Sequence, residues 1–423
     1  MPFDALDEDI LLNVLSLCDV YTTLSVSAVN QSLRRVACVK QLWLSLVHDL
    51  AFRGSLELAP AEYEGLEGHS TTELMHLVMR GIQATRLPAR ATLPHHRLAF
   101  LPSLDQSVTE AKLLRGARYT VLRVPTHLHV YEVWSGRHIW TQAIEPNTRY
   151  SADIARGSDK VRVLLTPETG NISLQEVDLA TGQSWEVLTF NLPPGAHGSS
   201  KIVDDFFVCV LHPHENKLSW LLVNWPAATC IILDLGTHPF YTRTKLRPGY
   251  ILQAYPESTP PHQLHLAVTD LRSLSPHLKP LHEFNLDDRL SLQDIAFTAH
   301  NQLEYDDGRP ILGAAVPILS VVPCMLHRDS FFFGICAWYE PPPPRTSLAA
   351  RFRQIITWKR PPSLLTYQMY SYRFTPASSG KSCEIGTPVA LNRQFTRRVR
   401  LDLERQQVNG REETVVVVRY YNI

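Results

Sequence analysis

The 423-residue chain lacks an excess of either charge: 41 Lys and Arg stand against 41 Asp and Glu, a formal net charge of zero. Nothing in that balance drives the molecule toward nucleic acid or an anionic membrane, so partners must be recognised by local surfaces. Cysteine is sparse, with seven residues at 18, 38, 209, 230, 324, 336 and 383, no Cys-x-x-Cys pair and an odd count. That usage fits a reducing compartment, cytoplasmic and/or nuclear. A secretory leader is not expected, because Asp4, Asp7, Glu8 and Asp9 fall where such a segment must be uncharged. The triplets Asn30-Gln31-Ser32 and Asn171-Ile172-Ser173 have the glycosylation pattern but are short enough to arise by chance. The longest uncharged apolar run, Ile311 to Leu326, falls short of the roughly 20 residues a membrane helix needs, and Pro317 and Pro323 interrupt it. Buried strands account for it, and no membrane partner is expected.

Signatures of chemistry are missing as well. No Gly-x-Ser-x-Gly elbow occurs. Gly380-Lys381-Ser382 resembles the end of a phosphate loop, but Thr375 stands where its first glycine is required. His212-Pro213-His214 and His95-His96 have no further ligands at metal-binding spacing. The acid pairs Asp204-Asp205, Asp287-Asp288 and Asp306-Asp307 sit in turn-like contexts, where Asp bonds the local backbone. Pro341 to Pro344 reads as a surface loop, and Arg397, Arg398 and Arg400 as one exposed strand face. No catalytic residue, metal ligand or cofactor site is assigned.

What is present is globular: 44% hydrophobic and 19% charged residues, in a length suited to a small module plus a large one. Asp7, Glu8 and Asp9 suit the positive end of a helix whose stripe is Ile10, Leu11, Val14 and Leu15. Asp19 is placed to cap a second short helix carrying Val20 and Leu24. Val29, Leu33, Val36 and Ala37 then repeat at helical spacing, and Leu42, Trp43, Leu46, Val47 and Leu50 form a fourth stripe. Four helical pieces in so short a segment carry more apolar positions than one small core uses.

This series, with leading Leu6, Val26-Ser27-Ala28-Val29-Asn30, Leu33-Arg34-Arg35 and closing Leu42-Trp43, resembles the F-box. It departs from the family at Asp7, where proline is usual, and at Leu33, where a bulkier residue is usual. The resemblance covers residues 1–50. It implies docking onto a Skp-family adaptor, and through it a cullin-RING ubiquitin ligase, with Leu6, Ile10, Leu11, Val14, Leu15 and Leu24 as contacts. Val29, Leu33, Leu42 and Trp43 would form the module's own core.

Residues 51–100 read as a connector. Ser70 and Glu73 make a capping box for a helix over 71–83, and Pro88, Pro94 and Pro102 then impose extended backbone. From 101 to 423 short strands alternate with turns. The valines before four turns, Val133, Val177, Val223 and Val268, are 44, 46 and 45 residues apart. Such a period is that of β-propeller blades, and the 323 residues after Phe100 make about seven. Trp134, Asp178, Trp225 and Asp270 give a loose likeness to WD repeats, without the Trp-Asp dipeptide. Thr414 to Tyr421 is a candidate to pair with the first blade.

The fold expected is therefore α+β and multidomain: an all-α module, a connector helix and an all-β, propeller-like domain that binds a target protein of unknown identity. Two other readings stay open: a propeller enzyme or ligand-binding protein with structural N-terminal helices, and an adaptor-binding scaffold without a role in ubiquitination.

Overall fold

The computed structural model describes residues 6–48, 58–84, 94–102, 104, 106–155, 158–192, 200–214, 217–234, 243–256, 264–302, 318–323, 330–339, 366–375, 383–385, 389–391, 399–408 and 411–421. The polyproline stretch, Gly380-Lys381-Ser382, Asp306-Asp307 and Arg397-Arg398 lie outside these residues.

The chain opens with α1 (Glu8–Ser16), α2 (Val20–Ser27), α3 (Gln31–Ala37) and α4 (Lys40–His48), followed by α5 (Pro60–Glu64) and α6 (Thr71–Ala84). The caps expected at Asp19 and Ser70 are present, and Asn30, read as part of the third helix, caps it instead. Asp19 Oδ1 accepts from Thr22 N at 2.8 Å, and Asn30 Oδ1 from Leu33 N at 2.8 Å, each satisfying an amide that helix geometry leaves open. Ser70 N donates to Glu73 Oε2 at 2.7 Å and Glu73 N to Ser70 Oγ at 3.3 Å, the reciprocal capping box expected for α6.

Two small cores hold the helices. One joins Leu11 and Leu15 of α1 to Leu33, Val36, Ala37 and Leu42. The other gathers Val20, Trp43, Leu46 and Val47 with Leu58, Leu66, Leu74, Leu77 and Val78. Five of the nine residues of the second core lie after position 50, so α6, read as part of a connector, completes the helical module. The reason is burial: Trp43 shares its core with Leu74, Leu77 and Val78 of α6, and its indole N–H donates to Ala37 O at 2.8 Å.

The β-domain begins earlier than the sequence suggested. β1 (Pro94–Phe100) pairs antiparallel with β26 (Arg411–Tyr421), whose other neighbour is β25 (Val399–Val408). Strands from the two ends of the domain thus share the first sheet, as expected for the final strand. His96 and Arg97, read as part of the connector, take strand register opposite Tyr420 and Arg419.

Each following sheet is built on an antiparallel meander, to which the fourth adds two short strands from later in the chain. The second contains β2 (Glu110–Leu113), β3 (Tyr119–Val124), β4 (His127–Glu132) and β5 (His138–Ala143). The third contains β6 (Arg149–Ile154), β7 (Lys160–Thr166), β8 (Asn171–Asp178) and β9 (Ser184–Asn191). The fourth is built on β10 (Ser200–Val203), β11 (Phe206–His214), β12 (Lys217–Asn224) and β13 (Thr229–Asp234). The fifth has β14 (Arg243–Arg247), β15 (Tyr250–Pro256), β16 (Leu264–Asp270) and β19 (Ala299–Gln302). The sixth is built on β20 (Ile318–Pro323), β21 (Phe331–Tyr339) and β22 (Thr366–Thr375), with β23 (Glu384–Ile385) and β24 (Val389–Leu391). Among the described residues there are six sheets, where spacing alone expected about seven; the sixth draws on the much longer segment 318–391.

The sheets stack face to face, and side-chain alternation shows how. Val121 and Val130 pack with Val161 and Val163, while Leu122 and Tyr131, on the opposite face, pack with Val416. Leu164 then packs with Phe207, Leu221 and Val223; Leu222 with Leu246 and Ile251; and Leu252 with Leu319 and Phe374. Both faces of the middle sheets are therefore buried, and each Leu or Val contributes roughly 1.5–3 kcal/mol by leaving water. Inner strands of successive sheets meet, β25 with β2, β6 with β10, β10 with β14 and β14 with β20, which is the radial order of a propeller. The four marker valines all lie on or just after the third strand of their sheet and are all buried.

Asp270-Leu271 is not the hairpin turn it resembles. Asp270 accepts from Arg272 N and starts a 3-10 turn, Leu271–His277, that leaves the sheet. The excursion lays β17 (Lys279–Pro280) and β18 (Arg289–Ser291) along β13 of the preceding sheet before returning as β19. It covers an edge strand that would otherwise expose unpaired amides, and it explains why the 45-residue rhythm blurs after Leu281. Among the described residues no helix is long and apolar enough to cross a membrane.

Candidate interaction surfaces

The first helix divides its apolar residues between two faces. Leu11 and Leu15 are 2% and 1% exposed, whereas Ile10, Val14 and Leu17 are 47%, 37% and 75% exposed. Positions 10, 14 and 17 recur at i, i+4 and i+7, so they form one stripe along α1, beside the stripe that packs inward. Tyr21 on α2 and Val29 just after it are exposed by 52% and 68%. Arg35 Nη2 and Glu8 Oε2, 3.1 Å apart, tie α3 to the start of α1.

Of the six expected adaptor contacts, Ile10 and Val14 lie on the open stripe. Leu11 and Leu15 are core residues, Leu6 is packed against that core, and Leu24 packs partly against the Trp43 core. Of the expected internal residues, Leu33, Leu42 and Trp43 are buried and Val29 is not. Helical spacing alone could not separate these cases, because α1 is apolar on two sides. Leu17 and Tyr21 were missed because they sit at helix ends, outside any stripe.

Among the described residues the helical module meets the β-domain through an aromatic contact and the packing of Ala59. The rings of Tyr63 on α5 and Trp134 are 5.4 Å apart, and Ala59 packs with Ala117, Val133, Val418 and Tyr420. Arg118 lies over Trp134, 5.0 Å from its centroid, and its Nε donates to Glu132 Oε1 at 2.8 Å. Burial works to raise the Glu132 pKa, but hydrogen bonds from Ser135 and Arg118 and the charge of Arg118 hold it below the usual value. The pairing repeats 44 residues later: Arg162 Nε donates to Glu176 Oε2 at 3.2 Å, and the guanidinium lies 4.6 Å from the Trp225 ring. Arg162 Nη1 and Trp225 Nε1 both donate to Asp204 O, at 2.9 and 3.0 Å, joining the third sheet to the fourth. The Arg162–Glu176 pair is therefore an inter-sheet fastener, while Arg118–Glu132 braces the second sheet internally. Asp204, read as a solvated turn acid, takes part through its backbone, at a positive φ of 49°.

On the inner strands, Lys112 Nζ donates to Ala152 O at 2.9 Å, Lys201 Nζ to Leu246 O at 3.3 Å, and Arg247 Nη2 to Val321 O at 2.8 Å. Each crosses to the next sheet. Burial, then the charges of Arg247 and Lys245, pushes the Lys201 pKa down to about 7. On the second sheet, His129 Nδ1 and His138 Nε2 are 3.3 Å apart, and Thr141 Oγ1 is 2.9 and 2.8 Å from them. Burial, then His138 and His127, lowers the His129 pKa to about 4. Cys18, Cys38, Cys209, Cys230 and Cys383 are free thiols.

No protein-family model matches the chain, and no curated protein matches it. Solved structures similar to it include the β-propeller domain of Cps50 (Swd1) from Myceliophteria thermophila, with 8% identity, TM-score 0.36, and coverage of 78% of this chain and 100% of that one. The WD40 domain of SCAP from fission yeast has 10% identity and TM-score 0.30, covering 75% and 82% of the two chains. The RRP9 WD40 repeats have 10% identity and TM-score 0.31, with coverage of 74% and 80%. The architecture described above stands on the chain's own strand pairings.

Proposed function

We propose that the chain is a substrate receptor of F-box type. The outer stripe of α1, with Tyr21 and Val29, docks a Skp-family adaptor and through it a cullin-RING ligase, and the β-domain holds the target protein. The observation that carries this reading is the division of α1. Leu11 and Leu15 anchor the helix, leaving Ile10, Val14 and Leu17 presented on a supported surface. A helix with one face fixed and a second apolar face open is suited to a partner's groove. The Tyr63–Trp134 contact supports the second half of the proposal, since a receptor must hold its target at a defined place relative to the ligase.

The test is co-purification of the full chain with a Skp-family adaptor, followed by the double variant Ile10→Asp, Leu17→Asp. Binding by the native protein and its loss in a variant with unchanged melting temperature is the expected result. Absence of binding by the intact folded protein overturns the proposal.

A further inference from the structure

The histidines of the second sheet form a cluster that the interaction function does not use. In β4, His127, His129 and Tyr131 alternate along one face. On β5, Thr141 stands directly opposite His129. His138 is three residues before Thr141, and in a regular strand an odd offset would turn it to the other face. The register shift between Val130 and Tyr131 changes this: Val130 pairs with Trp140, but Tyr131 pairs with His138, so Ile139 is the extra residue of a bulge. The bulge returns His138 to the face of His129.

The outcome is a triangle of three heteroatoms. His129 Nδ1, His138 Nε2 and Thr141 Oγ1 are separated by 3.3, 2.9 and 2.8 Å. Bonds of about 2.0–2.1 Å from a tetrahedral ion to imidazole nitrogens place those nitrogens about 3.3 Å apart. The ring planes of His129 and His138 are inclined at 56°, so the two rings do not stack. The other close imidazole pair differs. His265 and His300 lie 20° from parallel, with Tyr255 stacked on one and Phe297 on the other, so those rings form an aromatic stack. His138 and Thr141 are solvent-exposed, leaving an approach to the triangle.

We infer that His129 and His138, assisted by Thr141, form a binding site for a divalent transition ion of the zinc or copper type. Two neutral imidazoles select such borderline ions over magnesium or calcium, which prefer oxygen. The protein ligands carry no charge, so the bound ion keeps its own. Its open position suits water, or a carboxylate, thiolate or imidazole of a bound protein.

The experiment is calorimetric titration of the full chain with ZnCl2 and CuCl2, with MgCl2 as control, for native protein, His138→Asn and Thr141→Val. His138 is exposed, and unchanged circular dichroism and melting temperature establish that its variant folds. Native protein is expected to bind one equivalent that His138→Asn weakens by at least about tenfold, with a smaller loss in Thr141→Val. X-ray absorption of the zinc-loaded native protein should count two imidazole nitrogens. No binding, or equal affinity and stoichiometry in native protein and His138→Asn, overturns the inference.

Discussion

Trp134 Nε1 donates to Tyr420 Oη at 3.2 Å, and Tyr420 Oη in turn donates to Ala117 O at 3.2 Å. Through this relay the β4–β5 turn of the second sheet is fixed to the last strand of the first, while the same indole packs at a tilt against Tyr63 of the helical module. Tyr420→Phe removes both hydrogen bonds with little change of shape and should cost about 1–2 kcal/mol. Trp134→Ala should cost more, about 2–4 kcal/mol, because ring contacts are lost as well. Urea unfolding midpoints check both values, and an equal effect of the two variants would show that the indole contributes only its N–H.

An open and a buried position on α1 should behave in opposite ways. Ile10→Asp places a charge where water already reaches and should leave the helical module folded. Leu15→Asp buries an unpaired carboxylate among Leu33, Val36 and Leu42 and should unfold that module, at a cost above about 3 kcal/mol. Helical circular dichroism separates them.

Two glycines at similar backbone angles should also diverge. Gly182 and Gly249 both have φ +75°, but a Cβ on Gly182 would lie 2.3 Å from Ile139 O, whereas nothing lies within 4 Å at Gly249. Gly249→Ala should cost the left-handed penalty alone, about 1–2 kcal/mol. Gly182→Ala must also push the third sheet from the second and should cost more. Melting temperatures of the two variants rank them.

The pH dependence carries the mark of His129. Its folded pKa, about 4, is below the unfolded value of 6.5, so between these values the unfolded chain binds more protons. Stability attributable to this group is complete above about pH 6.5 and is lost as pH falls toward 4. His129→Gln should flatten the acid limb of a stability–pH curve, measured by urea titration at half-unit intervals.

Thiol chemistry should report on the β-core. Burial pushes the Cys209 pKa up to about 12 and that of Cys230 to about 11, so neither offers thiolate at neutral pH. Mass spectrometry after iodoacetamide treatment should find both unmodified in native protein and modified in urea. Modification of Cys209 without urea would show that the sheets open locally.

Much of this was legible in the sequence, and the losses have physical causes. Asp19 and Ser70 announced helix starts because a cap is a local bond between near neighbours. The spacing of Val133, Val177, Val223 and Val268 announced stacked sheets because each repeat must bury the same strand position. Burial is not local. Leu11 and Leu15 cannot be told from Ile10 and Val14 until α3 is placed, and the role of α6 depends on Trp43, far back in the chain. The meeting of His129 with His138 was hidden for another reason: a single bulge reverses strand parity, and no residue type announces it.

Pairing of β1 with β26 has a consequence for synthesis. Phe100 and Val416, partners across this seam, are 316 residues apart, so a ribosome releases the first strand long before it makes its counterpart. During that interval β1 must wait, its amides open to the wrong neighbour, while later sheets assemble one upon another. A nascent chain interrupted before residue 411 would carry nearly complete blades and an unfastened seam, making it a natural client for chaperones.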